Sequence, residues 1–397
     1  MAELTDSGLV EDGAIPPDDF EDDIDRTSEV AKHNLQIPED LMARLEYEAR
    51  DLLISREALV GAAAALISGN VVLQGPPGTG KSSLASALAR AFGVKTNQAT
   101  AREDWTTFDV IGGQEIVVNE DGQELLKPVH GCFTRAAIDC AGSVSRNLDD
   151  AELNPIQATW LIIDELNRAN MDRAFGELFT VLGTDDLVPF KLRHMGGTPP
   201  ELTTSRRFRI IGTMNSIDKQ FVNSLSLAIR RRFNFIAVDI PAQRDNGESW
   251  DEPSTEHSSL AVLEFDRIVG KATRNLDAAS EPGGFTDQVR EPLARLLVEV
   301  EKVRYATQSS QFPFLPIGTA PLIDVTHLAI VRNAMSPNAG WFACFDWACS
   351  VKLAPLFETD LESPEKLRAF ADDLRGVFPQ FARELSRIEA SGLYFVP

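Results

Sequence analysis

Val71-Val72-Leu73-Gln74-Gly75-Pro76-Pro77-Gly78-Thr79-Gly80-Lys81-Ser82-Ser83 joins an apolar run to a glycine-rich turn, and Leu84 to Phe92 then continues as an Ala- and Leu-rich stretch. Gly75 to Ser82 fits the pattern G-x-x-x-x-G-K-[ST]. Glycines suit such a loop because backbone N–H groups must converge on phosphate oxygens where a side chain would collide. The candidate phosphate contacts are therefore Gly75, Pro76, Pro77, Gly78, Thr79, Gly80, Lys81, Ser82 and Ser83. Lys81 is placed to reach the β- and γ-phosphates, and Ser82 to place its hydroxyl on Mg²⁺. A following helix would present its N-terminus to the same anion. The competing reading, a chance Gly/Pro turn before a helix, does not account for the strand in front of it.

Two further apolar runs end in polar residues. Trp160-Leu161-Ile162-Ile163-Asp164-Glu165 has the continuous hydrophobicity of a parallel strand buried on both faces. Its acids fall at the carboxyl end, where open α/β sheets bind ligands. Asp164 is the candidate for holding Mg²⁺ and Glu165 the candidate for polarising the attacking water. Taken alone, the run is equally a strand ending at a solvated acidic turn. Phe208 to Asn215 repeats the design, and Asn215 is a candidate hydrogen-bond partner for the γ-phosphate or the water. Arg230-Arg231-Arg232 follows. Three arginines are by default a surface salt-bridge cluster, but their place after the Asn215 strand also suits reaching a neighbouring subunit's nucleotide.

The chain of 397 residues, 43% hydrophobic, has length for about two or three domains. No apolar run approaches the roughly 18 residues of a membrane span, and Met1-Ala2-Glu3-Leu4-Thr5-Asp6 lacks a secretory signal's basic start. These features point to the cytoplasm. Cys132, Cys140, Cys344 and Cys349 form no C-x-x-C pair and the histidines are scattered, which argues against a Cys/His metal site. A formal net charge of -22 argues against a surface that holds nucleic acid all round, leaving only a local basic pore or a partner for that task.

Residues 1 to 34 are acidic and poor in aromatics, and read as a disordered tail. Helices are expected from Pro38 past Leu52, and from a cap at Ser55 to Ser68. Val94 to Thr100 reads as a strand and Phe133 to Cys140 as a helix, with residues 143 to 157 as a polar surface loop. Asp121-Gly122 between two apolar runs signals a hairpin, and a second is expected around Gly196-Gly197 within Leu187 to Leu202. Met171 to Leu182 reads as a helix. Helical periodicity returns in Leu260 to Lys271, Val289 to Tyr305, Leu322 to Met335 and Phe345 to Leu356. A last long helix is expected from a Ser363 cap past Phe381.

The set Gly75 to Ser83, Leu161 to Glu165, Asn215 and Arg230 to Arg232 resembles the AAA+ ATPases, and within them the dynein-related branch that includes the MoxR and McrB motors. Asp164-Glu165-Leu166-Asn167-Arg168-Ala169-Asn170 is similar to that branch's second acidic motif. Gly212-Thr213-Met214-Asn215-Ser216-Ile217-Asp218 with Ala228 to Phe233 is closer to McrB than to MoxR. The likeness spans roughly residues 55 to 240, and both hairpins match insertions typical of the branch. It implies an α/β fold, a P-loop NTPase αβα sandwich with a five-stranded parallel sheet, plus a C-terminal α-helical lid. The expected division is a tail at 1–34, the nucleotide-binding domain at 35–240, a linker at 241–259 and the lid at 260–397.

The same resemblance implies roles. Glu165 is catalytic, Asn215 a first sensor, Asp218 a water-orienting neighbour, and Arg231 and Arg232 are arginine-finger candidates ahead of Arg230. Ser82 and Asp164 would hold Mg²⁺. The cofactors implied are ATP, or GTP, with Mg²⁺; the partners are further copies of the chain in a ring, expected to be a hexamer, and a separate effector or adaptor, with no membrane. Many relatives carry a second sensor arginine after a small residue and proline; here Thr319-Ala320-Pro321-Leu322 puts a leucine there. Three functions stay open: an ATP-driven remodelling or translocating motor, a GTP-driven restriction motor acting with a nuclease, and a nucleotide-gated scaffold with little turnover.

Overall fold

The computed structural model describes residues 19–118, 124–182, 187–195, 198–215, 225–241, 243, 260–273, 282–359 and 364–392. The chain opens with α1 (Asp19–Val30), α2 (Leu41–Glu48), α3 (Arg56–Ser68), β1 (Asn70–Gly75), α4 (Lys81–Ala91) and β2 (Lys95–Thr100). Then come α5 (Thr107–Val110), β3 (Gly112–Val118), β4 (Glu124–His130), α6 (Cys132–Asp149), β5 (Thr159–Asp164) and α7 (Met171–Phe175). The strands β6 (Phe190–Lys191), β7 (Glu201–Leu202) and β8 (Ile210–Asn215), the turn α8 (Leu227–Arg230) and β9 (Phe233–Ala237) follow. The described elements that follow are helices: α9 (Leu260–Ala272), α10 (Pro282–Arg304), α11 (Thr319–Met335), α12 (Trp341–Lys352), α13 (Pro364–Leu374) and α14 (Pro379–Gly392).

Five parallel strands form one sheet in the order β2-β5-β8-β1-β9. In β5 and β8 successive side chains are buried on both faces, which only a sheet covered by helices on each side allows. Parallel pairing sends every carboxyl end to one edge. Gly75 lies opposite Asn215, and Thr100 opposite Asp164. β8 is the strand between β5 and β1, so the sheet itself sets the acids, the asparagine and the phosphate loop side by side.

Two hairpins interrupt this plan. β3 and β4 pair antiparallel from Gly112↔His130 to Val118↔Glu124, while the Asp121-Gly122 turn lies outside the described residues. β6 and β7 form the expected second hairpin but pair over only two positions, and Gly196-Gly197 also lies outside the described residues. The hairpins meet where His130 Nδ1 lies 3.2 Å from His194 Nε2, with Gln114 Nε2 donating to the His194 carbonyl at 3.1 Å.

Several expected boundaries move. The tail reading fails over residues 19–34, because Ile24, Thr27 and Val30 recur at helical spacing and bury against α6 and β7 while the acids dominate the composition. Thr27 Oγ1 accepts from the Thr203 N–H at 3.1 Å, and Ala31 O from the Arg206 N–H at 2.9 Å. Residues 1–18 lie outside the described residues, as does most of the 241–259 linker. α6 runs on to Asp149 into the expected loop, since Ala141, Val144 and Asn147 continue its buried face. The helix expected over Met171 to Leu182 tightens to a 3₁₀ stretch at Gly176–Thr180. The last long helix is two, because Pro379 cannot continue α13 and instead starts α14; its Ser363 cap lies outside the described residues.

The apolar interior is two clusters. One wraps the sheet and the other gathers Phe265, Leu297, Leu322, Phe345, Phe370 and Phe381 among α9 to α14. Inside the second, Arg304 makes a bidentate pair with fully buried Glu264 at 2.7 and 2.9 Å and donates through Nε to Ile317 O at 2.7 Å. Among the described residues no helix is long and apolar enough to cross a membrane.

The hairpin junction carries a pH dependence. Burial, then the neighbouring His194, pulls the His130 pKa down to about 4, and burial also lowers that of His194. With the folded value below the unfolded one of about 6.5, the unfolded chain binds more protons between these limits. Stability is fully present above about pH 6.5 and falls with pH through that window. Chemical unfolding of His130→Gln at pH 7 and pH 5 should show a smaller acid loss than the parent protein.

Candidate functional site

The turn between β1 and α4 depends on two left-handed glycines, Gly78 at φ 77° and Gly80 at φ 85°. Gly80 is also the residue that opens α4, so the first N–H groups of an 11-residue helix face the cavity. Lys81 is 7% exposed, and its ammonium donates to Gly75 O at 3.0 Å and Pro76 O at 2.6 Å. The cation is thus curled over the loop whose backbone it would share with a phosphate.

Asp164 sits at the centre of the polar network. Its Oδ1 accepts from Ser82 Oγ at 2.7 Å and from Thr213 Oγ1 at 2.8 Å. Thr213 Oγ1 in turn accepts from the Glu165 N–H at 3.2 Å. Glu165 has φ 57° and ψ 42°, the left-handed region, and is the one non-glycine residue with positive φ among the described residues. That conformation costs about 1–2 kcal/mol for a residue with a Cβ, and such strain persists where surrounding contacts over-determine it. The contacts here are the bond to Thr213, Asn215 Nδ2 donating to Glu165 Oε1 at 2.6 Å, and Arg168 Nε lying 3.6 Å from Oε2. Glu165 Oε2 and Asn215 Oδ1 are buried without a hydrogen-bond partner among the described residues. Two acceptors are therefore held ready beside the phosphate loop.

A cavity of about 340 Å³ brings together Pro77 to Ser83, Glu165, Thr213 and Asn215 with residues that sequence reasoning did not single out: Asp51, Asp239, Arg267 and Lys271. The signal for Thr213 was available, since residues two apart on a strand share a face and Asn215 had been identified. The signal for the others was not, because the two basic side chains come from α9, far along the chain. Ser82 and Asp164 present hard oxygens that suit Mg²⁺, an ion that keeps several waters and leans on phosphates for its remaining ligands. Among the described residues no group of three or more His, Cys, Asp or Glu could hold a metal ion unaided.

The arginine triplet separates by contact. Arg232 is spent within its own chain, donating to Phe179 O at 2.8 and 2.6 Å and to Ala228 O at 2.7 Å. Arg230 Nε donates to Leu225 O at 3.2 Å. Arg231 is exposed and lines a cleft with Gly69, Asn70 and Arg206, at the edge where the strands begin. Asp218 lies outside the described residues.

Residues 70–233 match the family model of the AAA domain, dynein-related subfamily. This part of the chain is a dynein-related AAA domain. The match starts on β1 and ends at the first residue of β9, within the 55 to 240 span over which the motifs run. Over 178 residues the chain is 29% identical to the type IV methyl-directed restriction enzyme EcoKMcrB subunit of Escherichia coli strain K12. That alignment covers 44% of this chain and 36% of the relative, so little more than a third of the relative's length is represented. Among solved structures, a RuvB mutant of Thermotoga maritima aligns with a TM-score of 0.41 at 14% identity, over 86% of this chain and 87% of that one.

Thr213→Val removes the hydroxyl that serves both acids and leaves the Glu165 N–H without its acceptor. A stability loss of about 1–3 kcal/mol is expected in chemical denaturation, and Thr213→Ser should recover most of it.

Proposed function

We propose that the chain is a motor subunit that hydrolyses ATP at the junction between neighbouring copies of itself and uses the cycle to remodel or translocate a macromolecule. The observation that carries this reading is the separation of the parts. Lys81, Asp164, Glu165 and Asn215 gather at the carboxyl edge of the sheet, whereas Arg231 sits before β9 at the opposite edge. A strand of five or six residues is roughly 17–20 Å long, so Arg231 does not reach the phosphate loop of its own chain. A guanidinium there serves a nucleotide only if a second copy docks head to tail, and a head-to-tail contact that closes makes a ring. A hexamer is the closed form proposed.

In this scheme residues 35–240 bind nucleotide and residues 260–397, with their separate core, act as the lid. Glu165 takes the role of polarising the attacking water, held by Asn215 and Thr213 until substrate offers Asn215 another acceptor. Ser82 and Asp164 would hold Mg²⁺, which when bound would supply positive charge to neutralise the phosphates. Lys81 meets the phosphates and Arg231 meets the transferring group of the neighbour. A finger supplied in trans is worth about 10³ to 10⁵ in rate, so turnover would require assembly.

A second reading takes its support from the 29% identity to a restriction-enzyme subunit: the macromolecule is DNA, the nucleotide GTP, and the partner a nuclease. Phosphate contacts do not discriminate between bases, so ATP and GTP hydrolysis measured side by side, with and without DNA, separates the two readings. Preference for ATP without stimulation by DNA favours the first.

Glu165→Gln and Arg231→Ala should each abolish steady hydrolysis while retaining nucleotide binding. Mixed in one assembly, the two variants should recover turnover, because some junctions then pair an intact Glu165 with an intact Arg231. Assembly without hydrolysis in the parent protein at any concentration would mark a scaffold instead.

A further inference from the structure

The cation expected from the C-terminal helices does not come from position 322, where Leu322 is fully buried in the second core. It comes from α9. Arg267 and Lys271 stand one turn apart and both line the cavity that contains Lys81, Ser82 and Glu165. Arg267 Nη2 donates to Arg50 O and Lys271 Nζ to Asp51 O, the latter at 3.3 Å. Arg267 Nη1 is buried and has no hydrogen-bond partner among the described residues. Burial lowers the Arg267 pKa, with Asp51 opposing the shift, yet a guanidinium keeps its charge in a protein. What results is a partly desolvated guanidinium lining a cavity whose walls also hold Lys81 and the start of α4, which favour an anion, alongside the acids Asp51, Glu165 and Asp239.

The position of α9 is tied to the phosphate loop. Glu264, three residues before Arg267, holds Arg304 on one side and accepts from Thr319 Oγ1 at 2.7 Å on the other. Thr319 follows Gly318, where an added Cβ would stand 2.4 Å from Pro77 O and 2.6 Å from the Gly78 carbonyl carbon. The Ala320 N–H then reaches Gly78 O at 3.3 Å. Glu264 thus links the helix that carries Arg267 to backbone lying directly on the loop.

We propose that Arg267 binds the phosphates of the nucleotide, supplying from the first of the C-terminal helices the contact that Leu322 cannot make. The Glu264–Arg304 pair positions it, and the bond to Arg50 O is the contact that Arg267 exchanges for the ligand. The proposal rests on reading the cavity as a nucleotide site.

The test is equilibrium titration of the full chain with a fluorescent ATP analogue and Mg²⁺, comparing Arg267→Ala, Arg267→Lys and Lys81→Ala with the parent. Loss of a charge-assisted contact predicts binding weaker by about tenfold or more for Arg267→Ala, partial recovery with Arg267→Lys, and no binding for Lys81→Ala. A change below about threefold for Arg267→Ala, while Lys81→Ala abolishes binding, overturns the role of Arg267 alone. Binding retained by Lys81→Ala overturns the nucleotide site itself. Should Arg267→Ala fail to fold, phenylglyoxal modification of the parent protein decides, read by mass spectrometry. Mg-ATP should protect Arg267 at least about fivefold, and equal modification with and without nucleotide rejects the contact.

Discussion

A single carboxylate oxygen joins the parts of the site. Asp164 Oδ1 accepts from Ser82, the second residue of α4, and from Thr213, two residues before the end of β8. Neither hydroxyl would be in reach without the parallel register that sets Thr100 against Asp164 on one side and Ile163 against Gly212 on the other. The register in turn depends on strands buried on both faces, since a slip of one residue would exchange every side chain between the two helical layers. Packing of the core and placement of the polar groups are therefore one constraint.

Glu165 shows what that constraint supports. A left-handed glutamate whose Oε2, like the neighbouring Asn215 Oδ1, accepts no hydrogen bond among the described residues is unfavourable taken alone. It is tolerated because β5 and β8 are held on both sides, and the hydrogen bonds from Asn215 and to Thr213 leave the backbone little freedom to relax. The strain lies where the chemistry is proposed to occur, consistent with a side chain kept oriented before substrate arrives.

How much of this was legible in the sequence follows from the distance over which each feature is encoded. The phosphate loop, the Asp164-Glu165 strand and the Asn215 strand are local patterns of buried run plus polar end, and the sheet edge they share follows from parallel pairing. α1 was hidden because the charged and polar residues around them, five of them Asp or Glu before Arg26, swamp the three buried residues Ile24, Thr27 and Val30 that give it a face. The extension of α6 was missed for the opposite reason, a polar surface stripe read as a loop. Arg267 and Lys271 had no local signature at all. Their place in the cavity is set by how α9 packs, and that depends on the buried Glu264–Arg304 pair and on Gly318, a contact between residues 264 and 304 that no window of sequence contains.

The close approach at Gly318 bears on how two separate cores could act together. A buried ion pair adds little net stability relative to a well-packed apolar pair, yet breaking one partner is costly, so Glu264–Arg304 is better understood as fixing a geometry than as holding the helices together. The geometry it fixes ends on the Pro77 and Gly78 carbonyls, with no side chain between. Backbone against backbone leaves no rotamer to absorb a displacement. The start of α11 therefore lies directly against Pro77 and Gly78, and Thr319 and Glu264 connect that point to α9. A physical connection between the loop and the C-terminal helices is thus present without an arginine at position 322, through the close approach at Gly318, the Thr319–Glu264 bond and the buried Glu264–Arg304 pair.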